Sequence, residues 1–465
     1  MNFQKICILG LGYIGLPTAS TFATHGLKVL GVDTDPTVIS TLQKGEIHIH
    51  EPGLRDVVLK AIHSGNFSFS TQPEEADAFL ITVPTPFHEG AHGEYGGQKF
   101  RLADMRAVIS ATEAILPYLR HGNLVILEST SPPRTTVDLV KPILERSGLK
   151  AGDDFYLCYS PERVLPGQIM RELIENDRVI GGITPESAKA GRDLYATFVK
   201  GEIIETDTTT AEMVKLMENT TRDINIAIAN EFSRLAEKFG VDVWEAISLA
   251  NRHPRINILS PGPGVGGHCI SVDPWFLVEA APELTSLIHQ ARRVNDAQPH
   301  FVVEKVKQAF KNTQAAIALS GEERRRSAGG EDATESVLSG KKIAALGLAY
   351  KPDVDDLRES PATEVVHLLQ KEGAQVKAWE PFKPDADMKG IDMASSLDAA
   401  LKDADAILLL VKHTEFINFK PDEIASRTKA RILIDCVNAW HTIEWQKAGF
   451  QFHRLGVNKS PVSNL

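Results

Sequence analysis

An α/β fold, with two Rossmann-like doubly wound domains joined by a central all-α domain with a long helix, is predicted by three features of this sequence. Continuous Val/Ile/Leu runs alternate with amphipathic stretches at both ends of the chain, the pattern of parallel sheets covered on both faces. A glycine turn, LGLGYIG, closes the first of those runs. Between the two α/β regions, Thr208 to Asn251 holds no glycine or proline except Gly240, and Met213, Leu216, Met217, Ile224 and Ile228 recur at helical spacing.

The first strand is KICILG from Lys5, followed by the glycine turn, a helix-like run to His25 and a second strand, LKVLGVD, ending at Asp33. Further strands are expected in DAFLITVPTP, Asp77 to Pro86, and in GNLVILEST, Gly122 to Thr130. After one long helix and a second in the middle region comes SGEERRRSAGGEDATESVLSG, charged, small and aperiodic, which reads as a flexible linker or inserted loop. The α/β rhythm then restarts with KKIAALGLAY, AQVKAWEP, DAILLLVK and RILIDCVN. The expected domains span residues 1–205, 206–318 and 341–465, with the linker at 319–340.

The 465 residues are 43% apolar and 24% charged, an ordinary globular balance. A formal net charge of -11 argues against a nucleic-acid partner, which requires a basic face to neutralise phosphates. Cys7, Cys158, Cys269 and Cys436 are scattered without CxxC spacing, so neither a disulfide framework nor a metal site is expected, and the chain reads as reduced and cytoplasmic. The opening MNFQKICILGLGYIG breaks at glycines and reads neither as a signal peptide nor as a membrane span.

Gly10, Gly12 and Gly15 stand in GxGxxG spacing between a strand and a helix. The first allows a tight turn, the second lets the backbone approach a pyrophosphate, and the third lets the helix pack on the strand. Asp33, at the end of the next strand, is placed to bond ribose hydroxyls and would repel a 2′-phosphate, so NAD is favoured over NADP. The second α/β region lacks this fingerprint. Its GLAYKPDVDDLRES loop carries Lys351 and Arg358, which suit a phosphate, although a surface ion-pair cluster with Asp353, Asp355 and Asp356 accounts for them equally well.

A lone cysteine is usually core packing. Cys269, however, ends the glycine-rich stretch PGPGVGGHCI, where main-chain N–H groups can meet an anionic ligand and a thiol can be exposed to substrate, as a nucleophile requires. His268 is either its base or a structural neighbour. Lys215 and Asn219, four apart on the long helix, share a face; they suit an oxyanion formed by addition to a carbonyl, or else a solvated helix surface.

With GLGYIGLP, VPTP, ESTSPP, SPERVLPG, EMVKLMENTTRDINIA, PGPGVGGHCISVDPWF and GLAYKPDVDDLRESPA in this order, nearly the whole chain resembles the nucleotide-sugar 6-dehydrogenases, the family of UDP-glucose and GDP-mannose dehydrogenases. The resemblance implies a four-electron oxidation of a primary alcohol by two NAD molecules, through a thiohemiacetal and a thioester on Cys269. Within the family, PERVLPGQ, NDRVIGG and NRHPRINIL are most similar to members acting on UDP-N-acetyl-D-mannosamine, whose product serves bacterial surface polysaccharides. Members acting on UDP-N-acetylglucosamine are the alternative, so the implied substrate is a UDP-N-acetyl-hexosamine.

Carried over by motif, Gly10, Gly12, Tyr13, Ile14, Gly15, Asp33, Thr85 and Thr130 would bind the cofactor. Lys215 and Asn219 would stabilise the oxyanion, Asp273 would act as base or position water, and Thr130 and Glu162 would hold water or sugar near the thiol. Glu162, Arg163, Val164, Gly264, Gly266 and Gly267 would line the substrate, with Lys215 and Asn219; Lys351 and Arg358 would hold the UDP moiety. Arg252 joins them, and Arg255 would reach the substrate of a neighbouring subunit, because the family forms homodimers through the middle helices.

Two positions depart from the family pattern. Pro166 stands where UDP-glucose enzymes carry a second glutamate, so the role of that residue does not transfer, and Arg134 stands where glycine is usual. A two-electron hydroxyacid dehydrogenase would need neither the thiol nor the second α/β domain. A catalytically dead binding protein would have lost Cys269, Lys215 or Asp273.

Overall fold

The computed structural model describes residues 3–49, 51–267, 269–319 and 336–458. The expected linker at 319–340 falls largely outside the described residues, as does His268. The chain divides into two compact units, Met1–Thr220 with Val272–Ser286, and Thr221–Ser271 with Leu287–Leu465.

The first unit is built on β1 (Lys5–Leu9), β2 (Lys28–Val32), β3 (Phe67–Ser70), β4 (Ala78–Ile81), β5 (Phe87–Tyr95), β6 (Gln98–Ala103), β7 (Leu124–Leu127), β8 (Tyr156–Tyr159), β9 (Arg178–Gly182) and β10 (Ile203–Asp207). Eight of these form one sheet in the order β10-β9-β8-β7-β4-β1-β2-β3. The chain starts at the centre, winds out through β2 and β3, then crosses to β4, β7 and β8, so the strand order reverses beside β1, where such folds bind ligands.

Along β1, Ile6 and Ile8 enter the core on one face, and Cys7 and Leu9 enter the core on the other. This two-sided burial is why the strand sequences are continuously apolar. The sheet is not wholly parallel: β9 pairs antiparallel with β8 and parallel with β10, so the last two strands run against the rest. The hairpin β5–β6, not anticipated from the sequence, is fastened to the helix Asp273–Ala280 by a hydrogen bond of 2.8 Å from the Ala103 N–H to Glu279 Oε2.

The second unit holds a six-stranded parallel sheet of β11 (Lys342–Leu346), β12 (Gln375–Trp379), β13 (Asp392–Met393), β14 (Ala406–Leu409), β15 (Ile432–Asp435) and β16 (Gln451–Arg454), ordered β13-β12-β11-β14-β15-β16. Every pairing in it is parallel, and its inner strands are buried on both faces by two apolar clusters.

The glycine-free stretch forms the helix Thr208–Phe239, followed by Val243–Ala250, as its composition predicts. Within the second unit a buried polar clasp fastens the long helix: Arg292 Nη1 meets Asp223 at 2.6 Å, Asn295 Nδ2 donates to Asp223 at 2.8 Å, and Asn230 Nδ2 donates to Asn295 at 2.9 Å. The same helix holds the incoming thiol loop, because Asn225 accepts from the Leu259 N–H at 3.0 Å and Asn230 accepts from the Gly262 N–H at 3.0 Å. Among the described residues no helix is long and apolar enough to cross a membrane.

Candidate functional site

The glycine turn leaves β1 at its carboxyl end. Gly10 has φ +98°, and a Cβ there would lie 2.8 Å from the Thr82 carbonyl oxygen; a Cβ on Gly15 would lie 1.8 Å from the Gly10 oxygen. At Gly12 a Cβ would meet nothing within 4 Å. Two of the three glycines are thus required by chain packing, whereas packing gives no reason for glycine at Gly12, which Tyr13 and Ile14 follow. The Asp33 carboxylate accepts from the Leu11 N–H and from the Asp35 N–H, each at 3.0 Å, which ties the acid to the turn it serves.

Thr85, in the loop after β4, donates through Oγ1 to the Thr130 carbonyl in the loop after β7 at 2.7 Å. Close to that second loop in the chain is the position that departs from the family pattern. Arg134 has φ +72°, a left-handed backbone that glycine adopts without cost. Its N–H is held by Glu212 at 2.5 Å, and its side chain pairs with Asp138 at 2.7 and 2.8 Å.

A buried polar group gathers on the long helix. Lys215 is only 7% exposed, which rules out a solvated helix surface, and its Nζ donates to the Glu162 carbonyl at 2.6 Å. Asn219 donates to Asp273 at 2.5 Å. Burial pushes the Asp273 carboxyl up to about 6, partly opposed by the Lys215 charge and the Asn219 hydrogen bond. Glu162 accepts from the Arg163 and Val164 N–H groups at 2.7 and 3.2 Å. The Arg163 guanidinium itself pairs with Glu218 at 2.8 Å, and Val164 packs against the core.

Sequence reasoning missed three residues in this group, all buried: Arg178, which donates to Glu162 and to Glu128, Glu128 itself, and Tyr195, which donates to Glu128. The signal was present. Glu128 directly follows the apolar LVIL, and Arg178 opens the apolar VIGG, at places where an unpaired charge would be costly.

In the second unit, Cys269 is exposed whereas Cys7, Cys158 and Cys436 are buried. Burial pushes the Cys7 thiol up to about 12 and raises the other two buried thiols as well, so those three are inert packing. The glycines ahead of Cys269 have a packing reason besides the ligand cradle expected of them. A Cβ on Gly266 would lie 2.4 Å from the Glu359 oxygen, and one on Gly267 would lie 2.8 Å from the Tyr350 ring; Gly264 is equally tight against Pro361. Their small size lets the thiol loop lie against the GLAYKPDVDDLRES segment.

On that segment Lys351 is half-buried, whereas Arg358 is exposed and pairs with Asp356 at 2.8 and 2.9 Å. Asp353 belongs to another cluster, accepting from Thr414 at 2.6 and 2.8 Å. Glu380 follows β12 as Asp33 follows β2, but it is fully buried and accepts from the Leu348 and Ala349 N–H groups at 2.7 and 3.0 Å. No ribose can reach it, in keeping with the missing glycine fingerprint. Arg252 and Arg255 are exposed in the turn after Val243–Ala250, which Asn251 closes by bonding Ile258 in both directions at 2.8 Å.

A doubly wound sheet with a glycine turn and an acid at the end of the next strand is the frame of an NAD-dependent oxidoreductase. The chain belongs to the UDP-glucose/GDP-mannose dehydrogenase family: its NAD binding domain matches residues 4–199, its central domain residues 209–297 and its UDP binding domain residues 344–442. A UDP-N-acetyl-D-mannosamine dehydrogenase of Methanocaldococcus jannaschii is 45% identical, covering 98% of this chain and 97% of that one. One from Campylobacter jejuni is 46% identical over 91% of this chain and 99% of that one. An NDP-N-acetyl-D-galactosaminuronic acid dehydrogenase of Ralstonia nicotianae is 43% identical over 95% of this chain and 97% of that one. Among solved structures, UDP-D-ManNAc dehydrogenase from Pyrococcus horikoshii superposes with a TM-score of 0.86 at 36% identity, covering 98% of this chain and 100% of that one.

Proposed function

We propose that this enzyme oxidises the 6-hydroxymethyl carbon of UDP-N-acetyl-D-mannosamine to the carboxylate of UDP-N-acetyl-D-mannosaminuronate, through a covalent intermediate on Cys269. The observation that carries the reading is the trio of buried Lys215, half-buried Asn219 and buried Asp273, whose carboxylate comes four residues after the exposed cysteine in the chain. The names of the relatives support the choice of sugar.

When bound, NAD takes a hydride from the carbon in each of the two oxidations. The Gly10–Gly15 turn holds its pyrophosphate, Asp33 its ribose, and Thr85 and Thr130 lie along the same carboxyl edge of the sheet. Asp273 accepts the alcohol proton as the first hydride leaves, and a carboxylate titrating near 6 is ionised at neutral pH and ready to do so. The Cys269 thiolate adds to the aldehyde, forming a C–S bond and an oxyanion that Lys215 and Asn219 stabilise. Loss of the second hydride leaves a thioester. Water directed by Asp273, Glu162 and Thr130 then adds to the acyl carbon and the C–S bond breaks, which releases the sugar acid and restores the Cys269 thiolate. Lys351 and Arg358 hold the diphosphate, while Arg163, Val164, Arg252 and the Gly264–Gly267 segment line the sugar and its linkage.

Counting NADH formed per sugar consumed tests the reaction and the substrate together. Two NADH per UDP-N-acetyl-D-mannosamine, with the glucosamine and galactosamine stereoisomers slower, is the expected result. One NADH per sugar, or a preference for either stereoisomer, overturns it. In the same assay Asp33→Ala is expected to raise the KM for NAD about 10- to 100-fold, the loss of a charge-assisted hydrogen bond, and to admit NADP. An unaltered cofactor preference contradicts the ribose role.

A homodimer belongs to the same proposal. Ile228, Phe232, Leu235 and Phe239 recur at three- and four-residue spacing on the long helix and are 41% to 70% exposed, an apolar stripe of the kind that a second copy covers. Arg255 would then serve the neighbouring subunit. Phe232→Glu with Leu235→Glu is expected to give a monomer by light scattering, and a dimer that persists locates the interface elsewhere. A cytoplasmic setting, with the product feeding surface polysaccharide synthesis, belongs to the same reading.

A further inference from the structure

Next to Lys215 lies a buried cluster around Glu162 whose other members, Arg178, Glu128 and Tyr195, have no part in any step above. Arg178, the first residue of β9, is 5% exposed. Its Nη2 donates to Glu162 Oε2 at 2.6 Å, and its Nη1 donates to Ser160 Oγ at 3.0 Å and to Glu128 Oε1 at 3.3 Å. The Tyr195 hydroxyl donates to the same Glu128 oxygen, and the guanidinium lies 4.2 Å from the Tyr195 ring centroid. Glu128 Oε2 is buried with no hydrogen-bond partner among the described residues.

For stability alone this arrangement is a poor choice. A buried ion pair seldom stabilises a fold relative to apolar side chains of the same volume, and an unpaired carboxylate oxygen adds a further desolvation cost. What the cluster does achieve is to fix one peptide. Glu162 is held from both ends, with Oε2 on Arg178 and Oε1 on the Arg163 and Val164 N–H groups. The backbone around residue 162 therefore has little freedom, and its carbonyl points at Lys215 Nζ, 2.6 Å away.

We propose that Arg178 is a positioning residue for the catalytic lysine: its ion pair with Glu162 locks the turn whose carbonyl aims the Lys215 ammonium. The inference rests on the reading that Lys215 stabilises the oxyanion. Arg178 makes no contact with the reacting atoms; it acts through the Glu162 peptide, and Glu128 with Tyr195 holds the guanidinium from the other side. A displacement of about 1 Å in a catalytic group is enough to cost on the order of 100-fold in rate. Arg178→Lys keeps the charge but loses the two-pronged grip, and so is expected to let the turn move.

The test is a double-mutant cycle in the full-length enzyme, with initial rates of NADH formation from UDP-N-acetyl-D-mannosamine as the readout. Arg178→Lys is expected to lower kcat about 10-fold or more while the KM for NAD stays within about two-fold. Placed on Lys215→Ala, the same exchange is expected to change kcat by less than about two-fold, because no ammonium remains to be aimed. An equal loss in both backgrounds, the signature of a purely structural residue, overturns the proposal, as does an unchanged kcat for Arg178→Lys. Full activity in Lys215→Ala alone refutes the oxyanion reading instead, so the two failures are distinguished. If Arg178→Lys does not accumulate as folded protein, Tyr195→Phe enters the same cycle. It removes only the hydroxyl that holds Glu128, with an expected loss of about three-fold that again vanishes on Lys215→Ala.

Discussion

Replacing Cys269 by serine is expected to end formation of the sugar acid, with turnover falling about 1000-fold or more, while NAD and the UDP-sugar still bind. At neutral pH a thiol is partly ionised and strongly nucleophilic, whereas a serine hydroxyl is not ionised and is a far weaker nucleophile. A serine oxygen that did add to the aldehyde would give a hemiacetal and then an ester, which hydrolyses more slowly than a thioester. Chromatography of the nucleotide sugars reads acid formation, and calorimetric titration of both ligands reads binding. A Cys269→Ser enzyme that makes acid at the wild-type rate eliminates the covalent route. The exposure of Cys269 and the burial of the other three cysteines make alkylation with iodoacetamide a selective companion test, since one thiol is expected to react quickly and three slowly.

The second large effect is expected at Asp273. Its carboxyl titrates near 6 because burial disfavours the charged form, with Lys215 and Asn219 working against that. A base acts when ionised, so kcat is expected to rise as pH increases through about 6 and to level off above it. Asp273→Asn is expected to lack this limb and to lose about 100- to 1000-fold in kcat on the plateau. Stability should change in the opposite direction. The folded-state value lies above the ordinary 3.8, so the stability contributed by the protonated carboxyl is complete below 3.8 and is lost as pH rises through about 6. Asparagine escapes that loss. Two pH units correspond to about 3 kcal/mol, so Asp273→Asn is expected to be more stable than the parent at pH 8 and little different at pH 4, as urea midpoints would read. A lower midpoint at pH 8 contradicts the burial argument, and an unchanged rate removes Asp273 from the chemistry.

The elements legible in the sequence were those whose reason is local. The glycines after β1, the Asp33 carboxylate, the apolar strands of both sheets and the long helix follow from backbone freedom, two-sided burial and helical periodicity, each contained within a dozen or so residues. The same is true of the pairing of Lys215 with Asn219 on one helix face. Arg134 shows where local reading stopped: the sequence marks it as out of pattern, but only the backbone, at φ +72°, gives the reason for the glycine usual there.

What the sequence by itself determined is the fold class and the family, because these rest on ordered motifs and short-range geometry. The tertiary structure alone decided the reversed direction of β9 and β10 and the docking of the β5–β6 hairpin. It also showed that Gly266 and Gly267 are small because Glu359 and Tyr350 press on them. The Arg178 cluster depends on it most of all. Glu128, Glu162, Arg178 and Tyr195 come from separate segments that meet only when β7, β8 and β9 lie side by side, and the cost of burying their charges is met by partners tens of residues away in the chain.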